Sequence, residues 1–313
     1  MNRIPLVDEH EILHDISVVI PTLGRPVLSE CLRSIQDSQT WPAALFVVDQ
    51  SSSPHIAERL REMRDAGLNA THVPMRGIGI ATGTNHGLRQ VRTPIVAVTH
   101  DDCRVQRDWL GSLRDRVILE GLAVLTGRVL PEGDAEVPSV ITSTVAVTYT
   151  RPLPGRDVLY PANMAFPRAV LDAVGFMDED PLLAAASEDN EWAYRVLRAG
   201  IPIVYDPQAV VTHLAWRDDA DLARLVWAYA RSQGAFYGKY LRRADPFLAR
   251  RAIFDLLRAV WWQVRGALSH DRALAERGRA GSIGLAQGIV HGFLRGRPVV
   301  RPATSRWTGR PAT

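Results

Sequence analysis

The chain of 313 residues is 46% hydrophobic and 23% charged, an ordinary globular composition that excludes a disordered tail protein or a fibre. Its two cysteines, Cys31 and Cys103, exclude a disulfide framework and a Cys-rich zinc module, so a reducing cytoplasm is the compartment that fits. Residues 1–15 hold four acidic groups and no apolar run, which argues against a signal peptide, and no stretch of about 18 uncharged apolar residues predicts a membrane-spanning helix.

The net charge of +3 conceals an asymmetry along the chain. Residues 215–313 carry 18 Lys+Arg against 7 Asp+Glu, a balance of +11, whereas residues 1–214 carry 19 basic and 27 acidic groups, a balance of −8. The acidic part suits a metal site, and the basic part suits contact with an anionic surface.

The first 130 residues alternate short β-rich runs with helical patterns. The predicted strands are 16–20, 44–48, 70–73, 95–99 and 123–129, and the predicted helices are 27–36, 54–66, 81–91 and 109–120. Continuous apolar strands separated by helices predict a parallel sheet covered on both faces. Ligands of such sheets lie beyond the carboxyl ends of the strands, where Pro21, Thr22, Asp49, Asp101 and Asp102 fall.

The pattern loosens after residue 130. Residues 131–161 are rich in Pro and Thr, with one β-rich run over 143–149. Helices are predicted over 169–174 and over 188–199, the latter capped by Ser187, and strands over 201–205 and 209–212. Beyond His213 the sequence is helical and basic. The predicted units are an N-terminal arm (1–15), an α/β domain (16–214), a basic helical region (215–297) and a frayed tail (298–313).

Acidic residues stand at two predicted strand ends. Asp101 and Asp102 follow the apolar run 95–99, where adjacent carboxylates are costly unless a cation meets them. A divalent ion with phosphate oxygens is one solution, and a helix cap or surface turn is the alternative. Asp49 ends the run 44–48 before a Ser-rich turn, so it either accepts hydrogen bonds from a base or ribose or stabilises its own turn.

Three further motifs are open to two interpretations each. Glu188 and Asp189 begin a helix, where they either favour the positive end of the helix dipole or supply a general base. His213 follows a predicted strand and is either a packed histidine or a metal ligand. Several glycines surround Asn85 without the spacing of a phosphate loop, and close packing of the helix on a neighbouring backbone is the interpretation we favour for Gly83.

Together these motifs resemble the family 2 glycosyltransferases, which have the glycosyltransferase A fold. The resemblance spans about residues 16–213. It is carried in chain order by SVVIPT (17–22), VVDQS (47–51), GIATGTNHG (79–87), THDDC (99–103) with Trp109 and Leu110, NMAF (163–166) leading to VGFMD (174–178), and SED (187–189) with Arg195. It implies a Rossmann-like α/β fold, in which a mostly parallel central sheet is flanked by helices, with a helical C-terminal extension.

The resemblance implies a role for each matching residue. Asp189, beside Glu188, would be the general base that deprotonates the acceptor hydroxyl. Asp102, Asp101 and His213 would hold a divalent cation, Mn²⁺ or Mg²⁺. The nucleotide-sugar donor would be bound by Pro21, Thr22, Gly24, Arg25, Asp49, Ser51, Arg76, Asn85, Asp101, Asn163 and Met164.

The implied reaction is the metal-dependent, inverting transfer of a hexosyl or deoxyhexosyl group from a UDP-, dTDP- or GDP-sugar to an acceptor hydroxyl. The product would belong to a polysaccharide, a glycolipid or a natural-product glycan of the kind assembled for the cell envelope. Two positions depart from the family pattern: His100 replaces a common carboxylate, and Thr84 replaces a common Arg. The metal site therefore carries less negative charge, and Arg76 is the candidate for the missing phosphate contact.

The basic C-terminal region contains an amphipathic helix over 250–266, with Arg251, Arg258 and Arg265 opposite its apolar residues. This helix either lies in a membrane interface or packs on the α/β domain with its Arg face in water. An anionic membrane would suit a lipid-linked acceptor and a peripheral location on the inner face of the plasma membrane. Residues 225–241 are the alternative for completing the acceptor pocket. Nucleic acid is not expected as a partner, since no reading motif accompanies the charge.

Two other functions fit parts of the sequence. A binding or scaffold protein would keep the fold without catalysis, as the departures at His100 and Thr84 suggest. A nucleotidyltransferase on a related sheet would release pyrophosphate, but it needs a basic phosphate-grasping loop, which residues 21–25 do not provide.

Overall fold

A computed structural model describes residues 10–51, 53–133, 137, 139–155, 157–184, 186–216 and 219–296. The predicted tail (298–313) and residues 1–9 of the predicted arm lie outside the described residues.

The described strands form one sheet. They are β1 (Glu11–Thr22), β2 (Thr40–Asp49), β3 (Ala70–Pro74), β4 (Ile95–Thr99), β5 (Cys103–Val105), β6 (Val124–Glu132), β7 (Val147–Tyr149), β8 (Asn163–Pro167) and β9 (Ile203–Leu214). Their order is β3-β2-β1-β4-β8-β6-β9-β5, with β7 also paired to β9. Strands β1 to β4 are mutually parallel, and so are β6 and β9, whereas β8 runs antiparallel between β4 and β6. The α/β class with a mostly parallel central sheet is confirmed.

Helices flank the sheet and then form a separate C-terminal layer. The flanking helices are α1 (Leu28–Gln36), α2 (Pro54–Asp65), α3 (Ile80–Leu88), α4 (Trp109–Glu120), α5 (Ala169–Val174) and α6 (Glu188–Arg198). The C-terminal helices are α7 (Asp219–Leu241), α8 (Pro246–Leu268) and α9 (Arg272–Arg295). Among the described residues, no helix combines the length and apolar character that crossing a membrane requires.

Several predicted boundaries change. Strand β1 begins at Glu11 rather than residue 16, because residues 11–13 pair with 40–42 of β2. The predicted strands 201–205 and 209–212 are one strand, β9, whose register against β6 shifts between Gly127 and Arg128. Strands β5 and β8 were not predicted, since both are short and their pairing partners are distant in the sequence.

The core is divided into two clusters. The larger one fills the space between the sheet and α1–α6. The smaller one joins α6 to the C-terminal helices through Tyr194, Phe236, Tyr237, Tyr240 and Leu248. A buried ion-pair cluster adds to this junction, because the fully buried Lys239 of α7 contacts Asp178 and lies 2.9 Å from Asp180. Helix α7 is therefore anchored to the α/β domain.

Glycines permit two close helix contacts. In α3, a Cβ at Gly87 would lie 2.4 Å from Val19 Cγ1, and one at Gly83 would lie 2.6 Å from Gln50 Nε2. The atoms nearest to Gly83 belong to side chains, so its predicted packing on a neighbouring backbone is not confirmed. Helices α7 and α9 meet backbone to backbone, because a Cβ at Gly288 would lie 2.0 Å from the carbonyl oxygen of Arg231. Larger side chains at these positions would hold the elements apart.

Candidate active site

Strand pairing brings the predicted metal ligands together. Asp102 lies just beyond β4, and in the β5–β9 ladder Cys103 is the register partner of His213. As a result, one oxygen of Asp102, the sulfur of Cys103 and one ring nitrogen of His213 all lie within 4.8 Å of one another, and all three residues are buried. The sequence predicted Asp102 and His213 for this site but gave Cys103 no ligand role.

The chemistry of the Asp102–His213 pair fits a divalent cation. His213 Nε2 lies 3.3 Å from Asp102 Oδ2, yet both ring nitrogens are buried without a hydrogen-bond partner among the described residues. Burial disfavours the Asp102 carboxylate, but His213, His100 and the Trp216 hydrogen bond together outweigh burial and lower the pKa of Asp102, so Asp102 is an anion at neutral pH. Burial raises the pKa of the Cys103 thiol, which leaves a carboxylate oxygen and an imidazole nitrogen as the natural ligands.

Asp101 is held by the end of β1 and the loop after it. Its Oδ2 accepts a hydrogen bond from Thr22 Oγ1 at 2.6 Å, and its Oδ1 lies 3.2 Å from Arg25 Nη1. Asp101 is therefore not part of the cluster formed by Asp102, Cys103 and His213, and a metal role for it stays a prediction. Arg25 in turn lies over the ring of Trp216, whose Nε1 donates to Asp102 Oδ2 at 2.8 Å. Trp216 thus links the two aspartates, and no sequence motif indicated it.

Asp49 lies beside Thr22 in the β1–β2 register at the carboxyl edge of the sheet. Its Oδ1 accepts hydrogen bonds from the backbone N–H and the hydroxyl of Ser51, and its Oδ2 lies 2.9 Å from His72 Nε2. Although burial opposes it, these bonds lower the pKa of Asp49. Asp49 therefore stabilises its own turn at the carboxyl edge of the sheet, and its contact with a base or ribose stays a prediction.

The remaining predicted donor contacts at this edge are arranged around that turn. Pro21 is buried at the end of β1, whereas Arg76 is exposed in the loop after β3. Gly24 has a φ of +74°, and a Cβ there would lie 2.3 Å from Ser51 Oγ. The loop after β1 therefore approaches Ser51 as closely as only glycine allows.

Three predicted donor-binding residues are buried in the structural framework instead. Asn85 Nδ2 donates to the carbonyl oxygen of Met177 and to Glu179 Oε1, both at 2.8 Å, and Asn85 Oδ1 accepts from the backbone N–H of Met177. The Asn163 amide donates to two carbonyl groups and accepts from Trp109 Nε1 at 2.8 Å. Met164 is fully buried in β8. The three side chains thus hold the segments around the site, and their contact with the donor stays a prediction.

Glu188 and Asp189 form the first turn of α6. Ser187 precedes them as predicted, but its hydroxyl donates to Gln233 of α7 rather than capping the helix. Glu188 is buried and its Oε2 has no hydrogen-bond partner among the described residues, whereas Asp189 is half-buried and its Oδ1 accepts from the backbone N–H of Asn190. Burial raises the pKa of Glu188 to about 7 and raises that of Asp189 well above its ordinary value.

Asp189 lines a cavity of about 1000 Å³ between residues 137–161, the start of α6 and helices α7–α9. Helix α7 contributes Leu225, Val226, Tyr229, Ala230 and Gln233 to the lining, which agrees with the expectation that residues 225–241 border a pocket. Phe236, Tyr237 and Tyr240 belong to the second core instead. Charged and aromatic groups line the far side, namely Asp157, Arg251, Asp255, Arg258, Trp262, Glu276 and Arg277.

The fold and the site define a class: an α/β protein with an acidic, metal-competent cluster at the carboxyl edge of its sheet and two adjacent carboxyl groups, Glu188 and Asp189, beside a large cavity. A family model described as "Glycosyltransferase like family 2" matches residues 14–235, more than half of the chain. The chain belongs to this glycosyltransferase family. The match continues past residue 214 into α7, so the family region includes part of the helical extension.

Solved structures share the fold at low sequence identity. TarS 1-349 of S. aureus in complex with UDP-GlcNAc has a TM-score of 0.53 and 13% identity, covering 88% of this chain and 92% of that one. The mannosyltransferase PcManGT of Pyrobaculum calidifontis, in complex with GDP-Man and Mn²⁺, has a TM-score of 0.57 and 16% identity, covering 90% and 87%. A search of the curated proteins finds no match.

Proposed function

We propose that this chain is a metal-dependent, inverting glycosyltransferase that moves a sugar from a nucleotide-diphosphate sugar to an acceptor hydroxyl. The observation that carries the proposal is the Asp102–His213 pair at the carboxyl edge of the sheet, in which an anionic oxygen lies 3.3 Å from an imidazole whose ring nitrogens have no hydrogen-bond partner in the described part of the chain. Membership of the family and neighbours solved with UDP-GlcNAc and with GDP-Man and Mn²⁺ support a donor of this kind.

Asp102 and His213 are the residues that would hold the cation. When bound, a divalent ion stabilises the negative charge that develops on the departing nucleoside diphosphate. Because one of the two ligands is an imidazole, we expect Mn²⁺ to bind more tightly than Mg²⁺, which prefers oxygen ligands. Thr22, Arg25 and Asp49, at or next to the same edge, are the proposed contacts to the UDP, dTDP or GDP part, with Gly24, Ser51 and Arg76 beside them.

Asp189 is the proposed general base. Its carboxylate takes the proton of the acceptor hydroxyl while the acceptor oxygen bonds to the anomeric carbon and the bond to the diphosphate oxygen breaks. Attack opposite the leaving group inverts the configuration at that carbon. The raised pKa of Asp189, with Glu188 next to it, brings the base closer to neutral pH, where proton transfer is most efficient.

The cavity beside Asp189 is the proposed acceptor site. Tyr229 and Trp262 give it aromatic surface for a sugar ring, and its mixed charges suit hydroxyl groups better than a strongly charged group. We propose an acceptor from polysaccharide, glycolipid or natural-product glycan assembly, including lipid-linked forms, and a cytoplasmic, membrane-peripheral location.

The test combines binding with turnover. Thermal unfolding is followed with UDP, dTDP or GDP, with and without Mn²⁺, because a ligand that binds the folded state raises the Tm. We expect a metal-dependent rise with one nucleotide, its loss in Asp102→Asn, and its retention in Asp189→Asn. With the matching sugar donor, Asp189→Asn should lower turnover by about 10²–10⁴-fold.

The matched control is Asp65→Asn, at an exposed position at the end of α2, which should behave like the wild type. Full activity of Asp189→Asn would refute the assignment of the base. Nucleotide binding without turnover or donor hydrolysis would favour a scaffold protein, and release of pyrophosphate would favour a nucleotidyltransferase.

A further inference from the structure

Helix α8 buries charged side chains and exposes apolar ones, the reverse of an ordinary surface helix. Its buried residues include the charged Arg251 and Asp255, of which Arg251 contacts Asp157 and Asp255 Oδ1 lies 2.7 Å from Arg258 Nη2. Its exposed residues include a continuous apolar row at helical spacing: Ile253 (61% exposed), Phe254 (49%), Leu257 (64%), Val260 (42%), Trp261 (53%), Val264 (51%) and Leu268 (78%). A surface helix normally turns its apolar face inward, so this row is available for a partner.

This exposure pattern disagrees with one of the two interpretations of this helix, in which its apolar face packs on the α/β domain. The sequence allowed α8 to pack on the α/β domain with its Arg face in water. In the structure Arg251 is only 8% exposed and the apolar face points outward, while Arg258 is half-buried and Arg265 near the end of the helix is exposed. Helix α9 packs closely on α8, because a Cβ at Gly278 would lie 2.2 Å from the backbone nitrogen of Gln263. It adds exposed apolar residues of its own, namely Ile283, Val290, Phe293 and Leu294.

Basic residues accompany this apolar surface. Residues 246–295 carry eight arginines against three acidic residues, a balance of +5. Arg250, Arg265, Arg272, Arg279 and Arg295 are exposed, and the Arg265 guanidinium lies 5.1 Å from the centre of the Trp261 ring. Apolar side chains, an interfacial tryptophan and flanking arginines are the features of a helix that lies in the headgroup region of an anionic bilayer.

We propose that the exposed apolar row of α8, with the neighbouring residues of α9, is a docking surface for an anionic lipid bilayer. The charge argues for a bilayer over a second copy of the chain, since two such surfaces would bring like charges together. The docking surface also borders the cavity: a Cβ at Gly155, which lines the cavity, would lie 2.4 Å from Phe254 of the row. An acceptor carried by the bilayer would therefore enter the cavity that Asp189 lines. This entry of the acceptor rests on the proposed function, whereas docking on the bilayer does not.

The test is flotation of the full chain with vesicles. We expect the wild type to float with vesicles of equal parts phosphatidylcholine and phosphatidylglycerol, less at high salt, and much less with phosphatidylcholine alone. Leu257→Ser/Trp261→Ser/Val264→Ser should stay with the unbound protein. The control, Ile118→Ser/Leu119→Ser, removes two exposed apolar residues of α4 and should float like the wild type.

Failure of the wild type to float with anionic vesicles, or equal flotation of the triple variant, would overturn the proposal. A concentration-dependent dimer that the triple variant loses would also overturn it, in favour of contact between copies. The nucleotide-dependent Tm shift of the triple variant shows that it is folded. If that variant does not fold, Leu257→Ser alone and the lipid dependence of the wild type decide the question. If the protein bound no nucleotide, the proposed function would be refuted, but the expected flotation with anionic vesicles would not change.

An independent observation concerns Gln233 of α7. Its Oε1 accepts hydrogen bonds from Ser187 Oγ and Asn190 Nδ2, both at 3.0 Å, so it joins the residues on either side of Glu188 and Asp189. Its Nε2 donates to the Tyr237 hydroxyl at 2.9 Å. We infer that Gln233 is a positioning residue that fixes the first turn of α6. This inference rests on the proposed role of Asp189 as the base.

Gln233→Met keeps the side-chain length but removes these hydrogen bonds, and Gln233→Glu keeps the accepting oxygen. We expect Gln233→Met to lower kcat about tenfold or more with the donor KM unchanged, because small displacements of a reacting group are costly. Gln233→Glu should recover part of that loss. Loss of stability without a change in kcat would reduce Gln233 to a structural role. The absence of transfer by the wild type would instead contradict the proposed function.

Discussion

The contact between α7 and α9 gives a sharp test of how the helical extension is held. At Gly288 of α9 an added Cβ would lie 2.0 Å from the carbonyl oxygen of Arg231 and 2.8 Å from the backbone nitrogen of Ala235. These are backbone atoms, so Gly288→Ala can be accommodated only if the two helices move apart. At Gly281 of the same helix the nearest atom is Ala259 Cβ at 3.4 Å, an ordinary contact distance.

The two alanine variants share one favourable term. Replacing glycine by alanine inside a helix stabilises the folded state by about 1 kcal/mol. Overpacking a tight contact typically costs about 1–3 kcal/mol. Gly281→Ala should therefore raise the free energy of unfolding by up to about 1 kcal/mol. The free energy of unfolding of Gly288→Ala should be about 1–3 kcal/mol lower than that of Gly281→Ala.

The measurement is urea denaturation followed by tryptophan fluorescence. The m-value, the slope of the free energy of unfolding against urea concentration, is compared between variants. Equal slopes make the midpoints a direct measure of stability. Because both changes add the same methyl group to the same helix, their difference isolates the contact with α7. Equal stability of the two variants would refute the close approach of the helices and, with it, the rigid placement of Gln233 beside α6.

The sequence was sufficient for the regular part of the fold. Continuous apolar runs predicted β2 and β4, and the helical pattern over 109–120 predicted α4 at its observed bounds. It could not predict β5, which has three residues and pairs with a strand more than 100 residues later. Such pairing depends on tertiary contacts that no local pattern records.

The same limit applies to the candidate site. The sequence proposed Asp102 and His213 separately, and only the β5–β9 ladder explains why they meet. His72 and Trp216 complete the neighbourhoods of two aspartates, yet an isolated His or Trp carries no local signal of that role. In α8 periodicity identified both faces, but which face turns inward depends on tertiary contacts such as that of Arg251 with Asp157, 94 residues away in the sequence.

Three further changes test other parts of the structure. Lys239→Met should lower the free energy of unfolding by about 3–5 kcal/mol in urea titrations, because it leaves the buried Asp178 carboxylate and the half-buried Asp180 carboxylate without their cation; a loss below about 1 kcal/mol would refute this. Gly24→Ala should reduce the nucleotide-dependent Tm shift, because its Cβ would displace Ser51, and an undiminished shift would contradict that placement. Glu188→Gln tests the pH dependence of stability. The folded pKa of Glu188, about 7, lies above its unfolded value, so the folded state holds a proton that the unfolded state releases. Stability of the wild type should therefore fall as the pH rises from the ordinary glutamate range to neutrality. Glu188→Gln should lose the part of that slope that Glu188 contributes, Asp189 keeping its own part, and should gain stability relative to the wild type at pH values above about 7. Parallel curves would show that burial of Glu188 is not costly.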